Sequence, residues 1–133
     1  MKIRAFIVED SVPIRENLIE TLEEVVSVST VGVAETEAEG AAWLLEHEAQ
    51  WDLAIVDLFL KEGNGLGILK AGRSRRPLQK MVVFSNYATQ EVRRRCAALG
   101  VDAVFDKSTE IDALLLYCIQ QSDRNHSSAA KRH

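Results

Sequence analysis

Apolar and polar residues follow two different periods along the chain. Short, nearly unbroken apolar runs recur at Ile3-Arg4-Ala5-Phe6-Ile7-Val8, Leu53-Ala54-Ile55-Val56-Asp57, Met81-Val82-Val83-Phe84 and Val101-Asp102-Ala103-Val104-Phe105-Asp106. Their length and β-branched content are those of strands buried on both faces, as in a parallel sheet. Val28 to Val33 reads as a further short strand. Between these runs the period lengthens to that of a helix. Ile14, Leu18, Leu22 and Val25 repeat at helical spacing, and Glu37 to Glu48 reads as a helix with Ala38, Ala41, Ala42 and Leu45 inward. Leu66 to Ala71 makes a short helix. Thr89 to Leu99 makes a longer one, with Val92, Cys96 and Leu99 inward and Gly100 as its stop. Ile111, Leu114, Leu115, Cys118 and Ile119 share one face of a last helix. A strand followed by a helix five times over predicts an α/β fold: a parallel sheet with helices on both faces and right-handed crossovers. Residues 122–133 are polar and small and are expected to fray as a flexible tail.

Composition narrows the function classes more than the fold. The 133 residues are 47% hydrophobic and 27% charged, which fits one soluble globular domain with its own core. A net charge of -4 argues against direct nucleic-acid binding, and no apolar run is long enough for a membrane span or leader. Cys96 and Cys118 lack metal-ligand spacing and read as reduced, buried thiols of a cytosolic protein. Trp43 and Trp51 read as packing residues rather than stacking platforms for bases. Arg93-Arg94-Arg95 reads as a solvated helix face, with an acidic partner as the alternative, and Arg73-Ser74-Arg75-Arg76 as a solubilising loop.

The chemistry sits at the carboxyl ends of the strands, where open α/β sheets place their ligands. The first strand runs into Glu9-Asp10, the third ends in Asp57, the fourth in Ser85 and the fifth in Asp106-Lys107. Three acids, one hydroxyl and one lysine at neighbouring strand ends can form a cation and phosphoryl site. Each alone has a plainer reading as a turn, a cap or a solvated residue.

As a set, the chain resembles the receiver domain of a two-component response regulator, close in kind to the chemotaxis regulators. The resemblance rests on Val8-Glu9-Asp10, Asp57 with Gly65 eight residues on, Ser85 after an apolar strand, and Lys107 twenty-two residues later. It covers roughly residues 2–121. It implies a flavodoxin-like (βα)5 fold, doubly wound, with five parallel strands in the order 2-1-3-4-5. It also implies that Asp57 accepts a phosphoryl group from a histidine kinase or a histidine phosphotransfer protein. Mg²⁺ would be held directly by Asp10 and Asp57, by Glu9 through water and by the backbone carbonyl of Phe59. Lys107 would pair with Asp57 and Ser85 would donate to a phosphoryl oxygen. The readout face would be built from the fourth helix, fifth strand and fifth helix, against a downstream protein partner. A homodimer on phosphorylation is compatible with this. The resemblance further implies a bacterial, cytoplasmic signalling protein whose own chemistry stops at Mg²⁺-dependent self-phosphorylation and autodephosphorylation. On this reading residues 1–121 are the receiver and no output domain follows, either because the chain acts alone or because it was cut from a larger protein.

Departures from the family pattern qualify the relay. Many receivers carry Tyr or Phe three residues before the lysine; here that position is Val104, while Phe105 points to the other face by strand alternation. The aromatic switch is therefore expected to be absent or displaced. Lys61 stands where proline is common after the aspartate, and Ser108 replaces the usual cis-linked proline, leaving Ser108 or Thr109 to cap the last helix. The resemblance implies that Phe59 and Tyr87, two residues past Asp57 and Ser85, would flank the path of attacking water, so self-dephosphorylation is expected to be slow. Three other readings compete. A flavodoxin-like cofactor binder would need a phosphate-cradling loop where Glu9-Asp10 stands. A phosphohydrolase would need an acid at Phe59. A phosphorylation-independent adaptor would have no use for an intact acid site.

Overall fold

A computed structural model describes residues 2–131, with side chains described as far as residue 123. The elements alternate as expected: β1 (Ile3–Val8), α1 (Val12–Val25), β2 (Val28–Ala34), α2 (Glu37–Glu46), β3 (Leu53–Val56), α3 (Gly65–Ala71), β4 (Lys80–Ser85), α4 (Gln90–Ala98), β5 (Ala103–Asp106) and α5 (Ile111–Lys131). The five strands are parallel and lie in the order β2-β1-β3-β4-β5.

The continuous apolar runs exist because the sheet has two cores. Ile3, Ala5, Ile7, Leu53, Ile55, Val82, Phe84 and Phe105 face one side, with Leu18 and Leu22 of α1 and Leu114 and Cys118 of α5. The alternate residues Phe6, Val8, Ala54, Val56, Met81 and Val83 face the other, under α2, α3 and α4. Each strand residue of the centre is thus buried whichever way it points. Fully burying a side chain of the size of Phe6 or Leu22 contributes roughly 1.5–3 kcal/mol, which is why patterning alone locates these strands. Both cysteines are free and buried. Among the described residues no helix is long and apolar enough to cross a membrane.

Three helix expectations need correction. In α2 the inward residues are Gly40 and Leu44, with Trp43 packed against the core, whereas Leu45 is 67% exposed and Ala38 and Ala42 lie outside. The large Trp43 and Leu44 side chains remove more apolar area from water than a stripe of alanines. Gly40 lets α2 approach α3, since a Cβ there would sit 2.5 Å from Ile68 Cδ1. At the end of α1 the inward residue is Val26, which caps the helix, not the exposed Val25. The helix expected to stop near residue 121 runs to Lys131. Residues 122–131 contain neither Gly nor Pro, so no stop signal interrupts it. The last two residues of the expected tail lie outside the described residues.

Candidate functional site

Strand register brings the site together. Val8, Val56 and Val83 stand side by side across β1, β3 and β4. Asp57 N donates to Val8 O at 3.0 Å, so Asp57 emerges beside Glu9. On the other flank Ser85 pairs with Asp106, and Lys107 N donates to Ser85 O at 3.0 Å. The alternation that separates the two cores, continued one step past the strand ends, puts Glu9, Asp57 and Lys107 on the same side of the sheet.

The side chains meet accordingly. Lys107 Nζ donates to Asp57 Oδ2 at 2.8 Å and also contacts Glu9 Oε1. Asp57 Oδ1 accepts from the Phe59 amide at 3.3 Å, and Glu9 Oε2 from the Ser11 amide at 3.1 Å. Glu9 and Asp57 are buried, Asp10 half-buried. Carboxylate oxygens of Glu9, Asp10 and Asp57 lie within 4.8 Å of one another. Three convergent carboxylates with no thiol or imidazole form a donor set for a hard divalent cation. Together with Ser85 and Tyr87 they line a cleft of about 190 Å³. Ser85 is fully buried, and its Oγ accepts from the Tyr87 amide at 3.3 Å, leaving its O–H available as a donor.

The electrostatics are those of a site short of positive charge. Burial pushes the Glu9 carboxyl above its ordinary value, against the opposing pull of Lys107 and the Ser11 amide. Burial alone would lower the Lys107 ammonium, but its bonds to Asp57 and Glu9 outweigh it and hold the group above its ordinary value.

The glycine of the motif has a steric reason. A Cβ on Gly65 would lie 2.4 Å from the Asp57 carbonyl oxygen, and Gly65 N donates to Leu58 O at 2.9 Å. The loop can therefore close under Asp57 only with glycine there. Phe59 and Tyr87 form the rim, their rings edge to face with centroids 4.7 Å apart. Val104 packs with the α4 side of the sheet, and Phe105 lies in the opposite core against Tyr117. Strand alternation thus separates them as expected. Ser108 does not cap α5; its Oγ donates to Asp106 Oδ1.

Several residues that shape the site carried no visible signal. Arg15 of α1 donates to Glu9 O at 2.9 Å and to Glu35 Oε1 at 3.1 Å, and Lys61 donates to Glu35 Oε2 at 2.6 Å. Lys61, in place of a proline, is thereby tied to the loops after β1 and β2. Arg75 is no solubilising residue: it donates to Gly100 O and Asp102 Oδ2 and is largely buried, while Arg73 and Arg76 are exposed. The basic run of α4 also divides. Arg94 and Arg95 are exposed, whereas Arg93 binds Ala88 O, Val104 O and Glu110 Oε1.

Comparison with known proteins agrees with this architecture. The family model for the response regulator receiver domain matches residues 5–118. The acid tolerance regulatory protein ActR of Rhizobium meliloti is 31% identical over 91 residues, covering 68% of this chain and 46% of that protein. The chain therefore spans about half the length of this curated relative. The response regulator domain of Thermotoga maritima CheB superposes with a TM-score of 0.78 at 20% identity, covering 91% of this chain and 96% of the other. The REC domain of AraT, a response regulator from Geobacillus stearothermophilus, gives 0.74 at 22% identity, with 95% and 99% covered. At these identities the structural likeness speaks to the fold.

Proposed function

The chain belongs to the response regulator receiver domain family, and from that premise we propose that it is the phosphoacceptor switch of a two-component relay, with Asp57 as the acceptor. The observation that carries the reading is the convergence at Asp57 of two further carboxylates and an ammonium. Glu9 and Asp10 lie within 4.8 Å of it and Lys107 Nζ at 2.8 Å.

A carboxylate oxygen of Asp57 attacks phosphorus. The new P–O bond forms as the bond from phosphorus to the donor breaks, and the electron pair leaves with the donor's imidazole nitrogen. Two anions meeting is the obstacle. Asp10 and Asp57 directly, Glu9 through water and the Phe59 carbonyl would hold Mg²⁺, which would supply neutralising charge at the phosphoryl oxygens. Lys107 follows the charge from the Asp57 carboxylate to the acyl phosphate. Ser85 donates its hydroxyl to a phosphoryl oxygen. Phe59 and Tyr87 exclude water from the far side of phosphorus and prolong the phosphorylated state. The donor is a histidine kinase or histidine phosphotransfer protein of the cytoplasm, and the output is a change in protein binding at the α4–β5–α5 face.

The test is incubation with acetyl phosphate and Mg²⁺, read by intact mass. A gain of one phosphoryl group, lost with a chelator and absent in Asp57→Ala, is expected. An unchanged mass with acetyl phosphate and with a panel of histidine kinases would refute the reading and favour an adaptor that works without phosphorylation.

A further inference from the structure

The Arg93 side chain touches three separate segments next to the Asp57 site. Its Nε donates to Ala88 O at 3.1 Å, in the loop that follows Ser85. Its Nη1 donates to Val104 O at 2.9 Å, in β5. Its Nη2 donates to Glu110 Oε1 at 2.5 Å, just before α5. That same Glu110 oxygen accepts from the Asp106 amide at 3.0 Å. Asp106 is the register partner of Ser85, and Lys107 N bonds Ser85 O. A closed ring results: Ser85, the 86–88 loop, Arg93, Glu110, Asp106, Lys107 and back to Ser85.

We propose that Arg93 is a positioning residue that clasps the loop after Ser85 to the loop carrying Lys107, so that the state of Asp57 reaches the α4–β5–α5 face through the making or breaking of this clasp. The proposal rests on the reading of Asp57 as phosphoacceptor and adds the part that transmits its state. The planar guanidinium spreads five fixed donors over three nitrogens and so reaches three separated acceptors, whereas the three donors of lysine radiate from one nitrogen and glutamine has only two. The position where many relatives carry an aromatic is Val104, which offers only its backbone, and Arg93 holds that backbone. Phe105 is committed to the opposite core. The Glu110 carboxyl is held below its ordinary value, chiefly by its bond to Arg93. When Ser85 is drawn to a phosphoryl group, the 86–88 loop moves with it and the Ala88 carbonyl leaves the guanidinium. The contacts to Val104 and Glu110 then lose their anchor. The clasp belongs to the resting form, so its loss favours the phosphorylated arrangement.

The experiment uses the full chain with Mg²⁺ and beryllofluoride as the phosphoryl mimic, followed by amide NMR signals of α4, β5 and the start of α5. In Arg93→Gln without beryllofluoride these signals are expected to lie part of the way toward the wild-type bound positions. Because coupling is reciprocal, beryllofluoride affinity is expected to rise by about fivefold or more. Glu110→Gln is expected to act in the same direction, and the double variant to add little, as members of one unit do. Arg93→Lys, which keeps charge and stem but not the fork, is expected to show a smaller shift and decides the matter if Arg93→Gln does not fold. Wild-type spectra and affinity in Arg93→Lys and Glu110→Gln, with the wild type responding normally, would overturn the clasp alone. A wild type that shows no response to beryllofluoride would overturn both the clasp and the Asp57 reading.

Discussion

Phe59 and Tyr87 meet edge to face at the rim of the Asp57 cleft, although both rings are more than half exposed. A pair of aromatics lining the mouth of that cleft makes sense if they screen the site from water. Phe59→Asn in the phosphorylated protein is accordingly expected to shorten the phosphoryl lifetime by about tenfold, or ~1.4 kcal/mol of barrier. An unchanged decay of the intact phosphoprotein mass would count against screening. Cys118 gives a second prediction. Burial pushes its thiol up to about 12 from an ordinary 9.0. Because the thiolate is the reactive form, alkylation at pH 8 is expected to be at least about a hundredfold slower in the native protein than in denaturant. The sign for stability follows: between these values the folded form binds the extra proton, so stability falls as pH rises above 9. A midpoint of denaturation that is flat from pH 8.5 to 10.5 would contradict it. The sequence exposed the site residues themselves, because acids, a hydroxyl and a lysine at strand ends are conspicuous. It concealed Arg15, Arg75 and Arg93, whose partners include backbone carbonyls and have no letter of their own.

The central strands β1, β3 and β4 were the most legible elements because their burial is two-sided, whereas the one-sided burial of a helix left its inward face open. All five strands, and their carriage of Glu9, Asp57 and Lys107 to one edge, follow from apolar runs and alternation. The inward face of α2 does not, because two stripes compete on that helix and the choice depends on a neighbour far away in sequence. Trp43 stacks on Phe6 of β1 at 4.1 Å and on His47 at 4.2 Å. Its indole lies over Gly32 of β2, where a Cβ would come within 2.4 Å of the ring. Held between two rings, the indole has little room to yield. Gly32→Ala is therefore expected to destabilise the fold by about 1–3 kcal/mol, seen as a Tm lowered by several degrees. A Tm within a degree of the wild type would mean that α2 slides freely on the sheet. The length of α5 was misjudged for a different reason: polar composition marks exposure, not the end of a helix.

At the scale of the whole molecule, folding creates a charge problem that a divalent cation would relieve. Three carboxylates are gathered at one edge, two of them buried, with Lys107 bonded to Glu9 and Asp57. A divalent cation that binds only the folded form should stabilise it. At a hundredfold excess over Kd, Mg²⁺ is expected to add about 2.7 kcal/mol, read as a rise in Tm that Asp10→Ala abolishes. A Tm indifferent to Mg²⁺ in the wild type would refute the cation site. On the proposed function a single carboxylate, that of Asp57, would take the phosphoryl group. Borohydride reduces an acyl phosphate to the alcohol, so treatment of the phosphorylated protein followed by peptide mass mapping marks the acceptor. The account predicts homoserine at position 57 and unmodified aspartate at positions 10 and 106. Homoserine at another position, or none in a protein that has gained a phosphoryl group, would contradict it.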